Sequence, residues 1–421
     1  VSYVLDKLHY NPKIINDDFS LKVYDDFIDA VDSQKRFFLE SDIQVLSEYK
    51  LLIDDQINSS DITFFNVTYE ILKKRISEVE GFYEVILSQP FDFNVDEEIN
   101  LDYENLTYAS NLSELRNLWR KRLKLSTLDG FASKKEINED KIDLEENQFK
   151  SDEEIEKESR ASIKENLKDF FQFNKELERT DWFSLYLNSI VTQYDPHTTY
   201  LAPEAKEVFD QNISGKFQGI GARLSKRKQQ VEIVEVIIGG PVWRDNLLNV
   251  GDIIISVAQS ENEEPTEISL MKLSDATDLI KGDKGTKVFL TVKRVDGGIE
   301  QIVVTRDIVE LEETYAKSSI IKDESSKYGL INLPRFYVDF DDYGERNAAT
   351  DLKKEILNLK SKGINGLILD LRNNGGGSLK TVVDITGFFI ERGPVVQVKS
   401  IGGRREILRD NDPSIIWDGP L

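Results

Sequence analysis

The sequence contains no cysteine. Disulfides, thiolate nucleophiles and cysteine-ligated metals are therefore excluded, and the redox character of the compartment is left open. Basic charge is in short supply too, with 77 acidic residues against 54 basic ones and a net charge of −23. Such a surface repels phosphate, which argues against nucleic acid or an anionic membrane as the main partner; solubility accounts for most of the excess. No apolar run approaches the roughly 18–20 residues of a membrane span, so no transmembrane segment is expected. The opening Val-Ser-Tyr-Val-Leu-Asp has neither Met nor a basic leader and reads as a mature or trimmed product.

What is present points to several domains, since 421 residues are too many for one core. From Val1 to about Tyr194 the apolar spacing is helical. Val23, Phe27 and Val31 recur every fourth residue, and Leu72, Ile76, Val79, Tyr83 and Ile86 alternate fours and threes. Ser41 with Gln44 predicts a capping box opening a helix through Leu46, Tyr49 and Ile53. Lys134 to Arg160 is acid-rich and reads as a solvated helix in preference to a mobile connector. Only two histidines occur. His197, two residues after Asp195, suggests a Ser-His-Asp arrangement, but Asp195-Pro196 is more simply a helix stop and turn.

Gly215 to about Val309 changes character to short β runs broken by glycines. Ile220–Ser225 and Val231–Ile237 pair across a basic turn, Leu273–Lys281 is a short helix, and Lys287–Arg294 pairs with Ile299–Arg306 across Asp296-Gly297-Gly298. From Leu311 the pattern is α/β: a strand at Tyr328–Leu333, a helix over Gly344–Lys362, then the apolar strand Ile364–Leu371. Asn373, Asn374 and the glycines Gly375, Gly376 and Gly377 follow, and a helix begins near Leu379. Strand, glycine turn and helix leave backbone N–H groups free to face an anion. No Gly-Lys-Ser/Thr follows, so a phosphate cradle is not indicated.

The run Leu-Ile-Leu-Asp-Leu-Arg-Asn-Asn-Gly-Gly-Gly (367–377), with Gly-Phe-Phe-Ile-Glu-Arg-Gly-Pro-Val-Val-Gln-Val downstream, resembles the core of the carboxy-terminal processing (tail-specific) proteases. Gly239-Gly240-Pro241-Val242-Trp243 and Val250-Gly251-Asp252-Ile253 resemble their PDZ domain. Ala258-Gln259-Ser260 departs from the Asn-Gly usual after that strand. The resemblance implies a multidomain α+β chain: an N-terminal helical domain (1–200), a PDZ domain (205–309) and a partial crotonase-like α/β protease core (311–421). It implies that one of Gly375, Gly376 and Gly377 offers an oxyanion-hole N–H to a serine–lysine protease. It implies a carboxylate nest at Gln218, Gly219, Ile220 and Gly221, with Ile220, Ala222 and Leu224 along a receiving strand and Leu273, Ala276 and Ile280 on a facing helix. The partners it implies are proteins or peptides with free apolar C-termini, with an adaptor as a further candidate and no nucleic acid. The location it implies is the bacterial periplasm. No cofactor and no metal are expected.

In that family the serine lies a dozen or so residues beyond a Gly-Pro-Leu like Gly419-Pro420-Leu421, and the lysine follows it. The expectation is therefore a catalytic pair beyond residue 421 and an inactive chain as given. Ser378 with Lys380 is a poor substitute, because side chains two apart on a helix do not face each other. Two other classes stay open: a non-catalytic PDZ scaffold that captures tails, and a crotonase-like acyl-CoA enzyme, which would have no use for a C-terminus reader.

Overall fold

Apolar residues spaced by fours and threes do build the first half from helices. The computed structural model describes residues 1–143, 150–227 and 229–421, which divide into two units, Val1–Leu201 and Ala202–Leu421. The first contains α1 (Ser2–Leu8), α2 (Asp17–Asp32), α3 (Glu40–Ser47), α4 (Ile53–Ser59), α5 (Thr63–Ile86), α6 (Leu112–Asp143), α7 (Asp152–Glu176) and α8 (Arg179–Val191). Val23, Phe27 and Val31 of α2 and Leu72, Val79 and Tyr83 of α5 all enter one core. Aromatic rings fill its centre, with Phe27 edge-on to Tyr186 at 5.1 Å between centroids and Phe65 stacked on Tyr186 at 5.8 Å. Each such pair adds about 0.5–1.5 kcal/mol beyond burial.

The Ser41–Gln44 box does not form. Asp42 takes the capping role, its carboxylate accepting the Leu39 N–H at 2.8 Å. It is held there by Arg75, which donates through Nε at 2.7 Å and Nη2 at 2.8 Å. An ionised acceptor fixed by a fork of donors outcompetes a neutral hydroxyl. The helix also ends at Ser47 instead of continuing, and α4 starts afresh at Ile53. In the acidic stretch α6 runs to Asp143, and Ser151 caps α7 by accepting the Glu154 N–H at 3.2 Å; residues 144–149 of that stretch lie outside the described residues. Asp195 accepts the His197 N–H at 2.7 Å, while the imidazole is 93% exposed. That is a turn.

The second unit begins with α9 (Pro203–Ser214), β1 (Lys216–Gly219), β2 (Ala222–Arg227), β3 (Gln230–Val236), α10 (Pro241–Arg244), β4 (Ile253–Ala258) and β5 (Thr266–Glu267). It continues with α11 (Leu273–Ile280), β6 (Lys287–Lys293), β7 (Ile299–Thr305) and β8 (Asp307–Glu310). An antiparallel sheet runs β2-β3-β4-β6-β7, with β5 also pairing β4. Its inward face follows the period of two: Val231 and Ile233 on β3, then Val288, Leu290 and Val292 on β6. β1 and β8 pair separately as a two-stranded ribbon, and the Leu311 N–H closes it on the Gly215 carbonyl at 2.8 Å.

Beyond the ribbon lie β9 (Lys317–Lys322), β10 (Lys327–Asn332), α12 (Ala348–Ser361), β11 (Gly366–Asp370), α13 (Leu379–Gly387), β12 (Gly393–Lys399) and β13 (Arg405–Asp410). β10 pairs β9 antiparallel and β11 parallel, the second through α12 as crossover helix. Leu352, Ile356 and Leu359 of α12 share a core with Ile331 and Leu367. α12 starts at Ala348, not near Gly344, because Asn347 caps it, accepting the Ala349 N–H at 3.0 Å and the Thr350 N–H at 3.1 Å.

Candidate functional site

Two features stand out in the second unit. One is the edge of β2. It is the outermost strand of its sheet, so among the described residues its far side carries backbone donors and acceptors with no strand against them. α11 packs beside β2, which makes a groove of the kind an extended peptide enters by strand addition. Ala222 and Leu224 of β2 and Leu273 of α11 are half-buried along it. Ala276 and Ile280 lie beneath, buried in the sheet's core.

At the head of the groove the chain passes from β1 to β2 through Ile220 and Gly221. Their carbonyls are taken, by the Val242 N–H at 3.0 Å and the Ile237 N–H at 2.9 Å respectively. Among the described residues their own N–H groups donate to nothing. Gly221 has φ +83°, and a β-carbon there would lie 2.9 Å from Gly240 Cα. Only glycine lets the two backbones come this close, and the approach fixes the direction of the two free N–H groups. Gly219, also buried, ends β1 just before them.

The departure at Gln259 has a structural use. Its Nε2 donates to the Leu279 carbonyl at 2.8 Å and its Oε1 accepts from Arg306 Nη2 at 2.7 Å. Arg306, only 4% exposed, also donates to the carbonyls of Ile280 at 2.9 Å and Leu279 at 3.0 Å. The two side chains together satisfy carbonyls left open at the end of α11, the wall of the groove.

The second feature is the glycine loop. Gly376 donates its N–H to Asn374 Oδ1 at 2.8 Å, and Asn374 Nδ2 donates to the Leu333 carbonyl at 2.9 Å. The Phe336 N–H reaches the Gly376 carbonyl at 3.0 Å, and the Ser378 N–H reaches the Phe336 carbonyl at 2.9 Å. Gly377 has φ +144°, and a β-carbon on it would fall 2.3 Å from the Phe336 carbonyl oxygen. Of the three glycines, Gly375 and Gly377 are exposed and donate to nothing among the described residues. The Gly376 N–H is already spent. Asn374, whose folded-back side chain makes this distinction, was not singled out in the sequence; an Asn directly before three glycines was the available signal.

Ser378 and Lys380 are not brought together for chemistry. Ser378 is buried as the cap of α13, its Oγ accepting the Thr381 N–H at 3.2 Å. Lys380 Nζ instead lies 3.4 Å from the centroid of the Tyr343 ring. The Tyr343 hydroxyl donates to Asp384 at 2.5 Å, and burial pushes its pKa up to about 12. No group of three or more candidate metal ligands occurs among the described residues, and no helix there is long and apolar enough to cross a membrane.

Groove and loop are joined without a spacer. Arg346 lies 3.6 Å from the centroid of the Tyr315 ring and pairs with Glu310 at 2.6 Å and Asp351 at 2.7 Å. Lys216 of β1 reaches Asp339 at 2.8 Å.

Comparison with known proteins covers nearly the whole chain. The tail specific protease N-terminal domain matches residues 1–204, the PDZ domain residues 210–293, and peptidase family S41 residues 327–421. The tail-specific protease of Haemophilus influenzae is 30% identical over 419 residues, 99% of this chain and 56% of that protein. The carboxy-terminal processing protease CtpA of Bacillus subtilis is 31% identical over 216 residues, 51% of this chain and 42% of that protein. The chain thus spans about half the length of these relatives. Among solved structures, the PDZ domain of a carboxy-terminal protease from Vibrio cholerae in complex with peptide is 35% identical. It covers 23% of this chain and 99% of that one, with a TM-score of 0.22.

Proposed function

The chain belongs to the carboxy-terminal processing (tail-specific) protease family, and from that membership we propose that it selects protein substrates by their C-termini for serine-type peptide hydrolysis. The observation that carries the reading is the unpaired β2 edge running up to the free N–H groups of Ile220 and Gly221. A tail adds as a further strand on β2, its terminal carboxylate accepts those N–H groups, and its apolar side chains rest on Ala222, Leu224 and Leu273. A free carboxylate and an apolar last residue are both required. Periplasmic location follows from the same family reading.

The glycine loop supplies the electrostatics of acyl transfer. Attack on a peptide carbonyl builds negative charge on its oxygen, and the N–H groups of Gly375 and Gly377 are the fixed donors available to it. The nucleophile is a serine other than Ser378, whose hydroxyl serves as a helix cap, and the base is a lysine other than Lys380, which rests on Tyr343. An oxyanion hole without nucleophile and base has no intermediate to stabilise. A polypeptide of these 421 residues therefore binds tails and does not cut them, which is the one respect in which the scaffold reading applies.

The test is a titration of an unstructured peptide with a free apolar C-terminus against its amidated twin, followed by incubation and mass spectrometry. The expected result is preference for the free acid and no cleavage. Equal affinities would remove carboxylate recognition. Cleavage lost in Ser378→Ala would restore Ser378 as nucleophile.

A further inference from the structure

Beside the head of the groove stands a cation that the nest alone does not explain. Lys281 follows α11 directly, at its C-cap, where Arg306 and Gln259 hold the preceding carbonyls in place. Its Cγ lies 3.9 Å from where a β-carbon on Gly219 would be. The next turn is tied to the same strand, the Lys284 N–H donating to Gln218 Oε1 at 2.6 Å. Beyond Cγ the lysine side chain still extends through Cδ and Cε to Nζ, and Ile220 directly follows Gly219 in the chain. In this structure its Nζ pairs with Glu207 of α9 at 3.1 Å.

Glu207 is poorly placed for a permanent pairing. Its Oε1 also accepts Gln211 Nε2 at 2.6 Å, and its side chain is 55% exposed. α9 buries none of its residues and leaves Val208 and Phe209 exposed. Among the described residues no other ion pair or side-chain hydrogen bond joins Pro203–Asp210 to the remainder of the unit. The far end of the helix is fixed, by Arg335 on the Asn212 carbonyl and Tyr315 on the Gly215 carbonyl. α9 is thus anchored at one end, and at the other its closest ion pair to the unit is Glu207 with Lys281, beside a longer-range attraction of Lys206 to Asp341; the Lys281 ammonium stands next to the carboxylate nest.

We infer that Lys281 is the counter-charge for the bound tail's carboxylate, and that Glu207 is the internal anion it gives up on binding. The inference rests on the groove being the tail site. Glu207 and the incoming carboxylate compete for an ammonium group that also feels Asp278 of α11, and the incoming one gains two backbone N–H groups that Glu207 does not contact, so the exchange runs toward the tail. Release of Glu207 frees the N-terminal half of α9. Docking at the groove is thereby felt in the segment immediately before β1.

The experiment titrates the 421-residue protein with a fluorescent peptide ending in a free apolar residue and with its amidated twin. Lys281→Gln is expected to weaken the free-acid peptide about three- to tenfold and leave the amide unchanged. Lys281→Arg should recover most of the loss, which a merely structural role would not require. Glu207→Gln should strengthen free-acid binding by a similar factor. Hydrogen exchange in Pro203–Asp210 should quicken with the free acid and not with the amide. Equal weakening of both peptides by Lys281→Gln, or an unchanged ratio between them, overturns the role of Lys281. Weaker or unaltered free-acid binding in Glu207→Gln overturns the exchange. If the wild-type protein itself fails to distinguish the peptides, the tail-site reading falls first and this inference with it.

Discussion

Replacing Gly221 by alanine perturbs the groove at its narrowest point. The new β-carbon would sit 2.9 Å from Gly240 Cα and 3.3 Å from both Gly240 C and Pro241 Cδ. These are backbone and ring atoms with no flexible end to swing aside. Alanine at φ +83° costs about 1–2 kcal/mol in conformation, and the overlap costs about 1–3 kcal/mol more. The cheapest relief is for Ile220–Gly221 to move away from Gly240, lengthening the bonds to Val242 and Ile237. That turns the two free N–H groups off the carboxylate. Hydrogen bonds to a charged group are each worth about 1.5–3 kcal/mol, so free-acid affinity should fall at least about tenfold. Gly239→Ala is the matched control: φ is again +83°, yet nothing lies within 4 Å of the new carbon. It should carry the conformational cost and keep the affinity. Calorimetric titration with both peptides, beside a thermal melt of each variant, separates the two effects. Full free-acid affinity in a folded Gly221→Ala protein, or an equal loss in Gly239→Ala, would refute the reasoning.

Ser378→Ala should lower stability by about 0.5–2 kcal/mol through the lost cap on α13, seen as a reduced melting temperature of the second unit, with tail affinity untouched. Arg75→Met leaves Asp42 as a charge without its partner, both side chains being 10% exposed. A loss of about 3–5 kcal/mol is expected in denaturant unfolding of the first unit, and a cost near zero would mean that Asp42 is satisfied by the Leu39 N–H alone. Asp307 is held well below the usual carboxylate range by Arg244 and Lys284. The stability from these pairs is present above the ordinary aspartate pKa and is lost as pH falls through the depressed one. The melting temperature of Asp307→Asn should therefore converge on that of wild type under acidic conditions and lie below it at neutral pH.

Periodicity made the elements legible where one face is buried. Val23, Phe27 and Val31 announce α2 because the core repeats with the helix, and the strands around Val231 and Val288 announce themselves by alternation. Side-chain competition was not legible. Ser41 and Asp42 are both credible caps on paper, and Arg75, far away in sequence, decides between them. The glycine loop could be located from its composition, but which N–H remains free depends on Asn374 folding back onto Gly376. Gln259 looked like an irregular turn until Arg306 and the end of α11 came beside it. Lys281 carried no signal in the sequence at all, because an isolated lysine after a short helix is ordinary until the fold sets it against Gly219.

The β1–β8 ribbon has a mechanical meaning. The chain arrives at Lys216 and departs at Glu310, residues that face each other in the register. Both connections therefore leave from the same end of an antiparallel pair. Tension between them would load the rungs in turn, first the Leu311–Gly215 bond and Lys216 against Glu310, and last Gly219 against Asp307, as a zip opens from its slider. Rungs worth about 0.5–1.5 kcal/mol each then yield one at a time instead of sharing the load. Drawing the two connections apart would open the ribbon at low force and leave the β2–β7 sheet intact. The sheet would then swing on a longer tether.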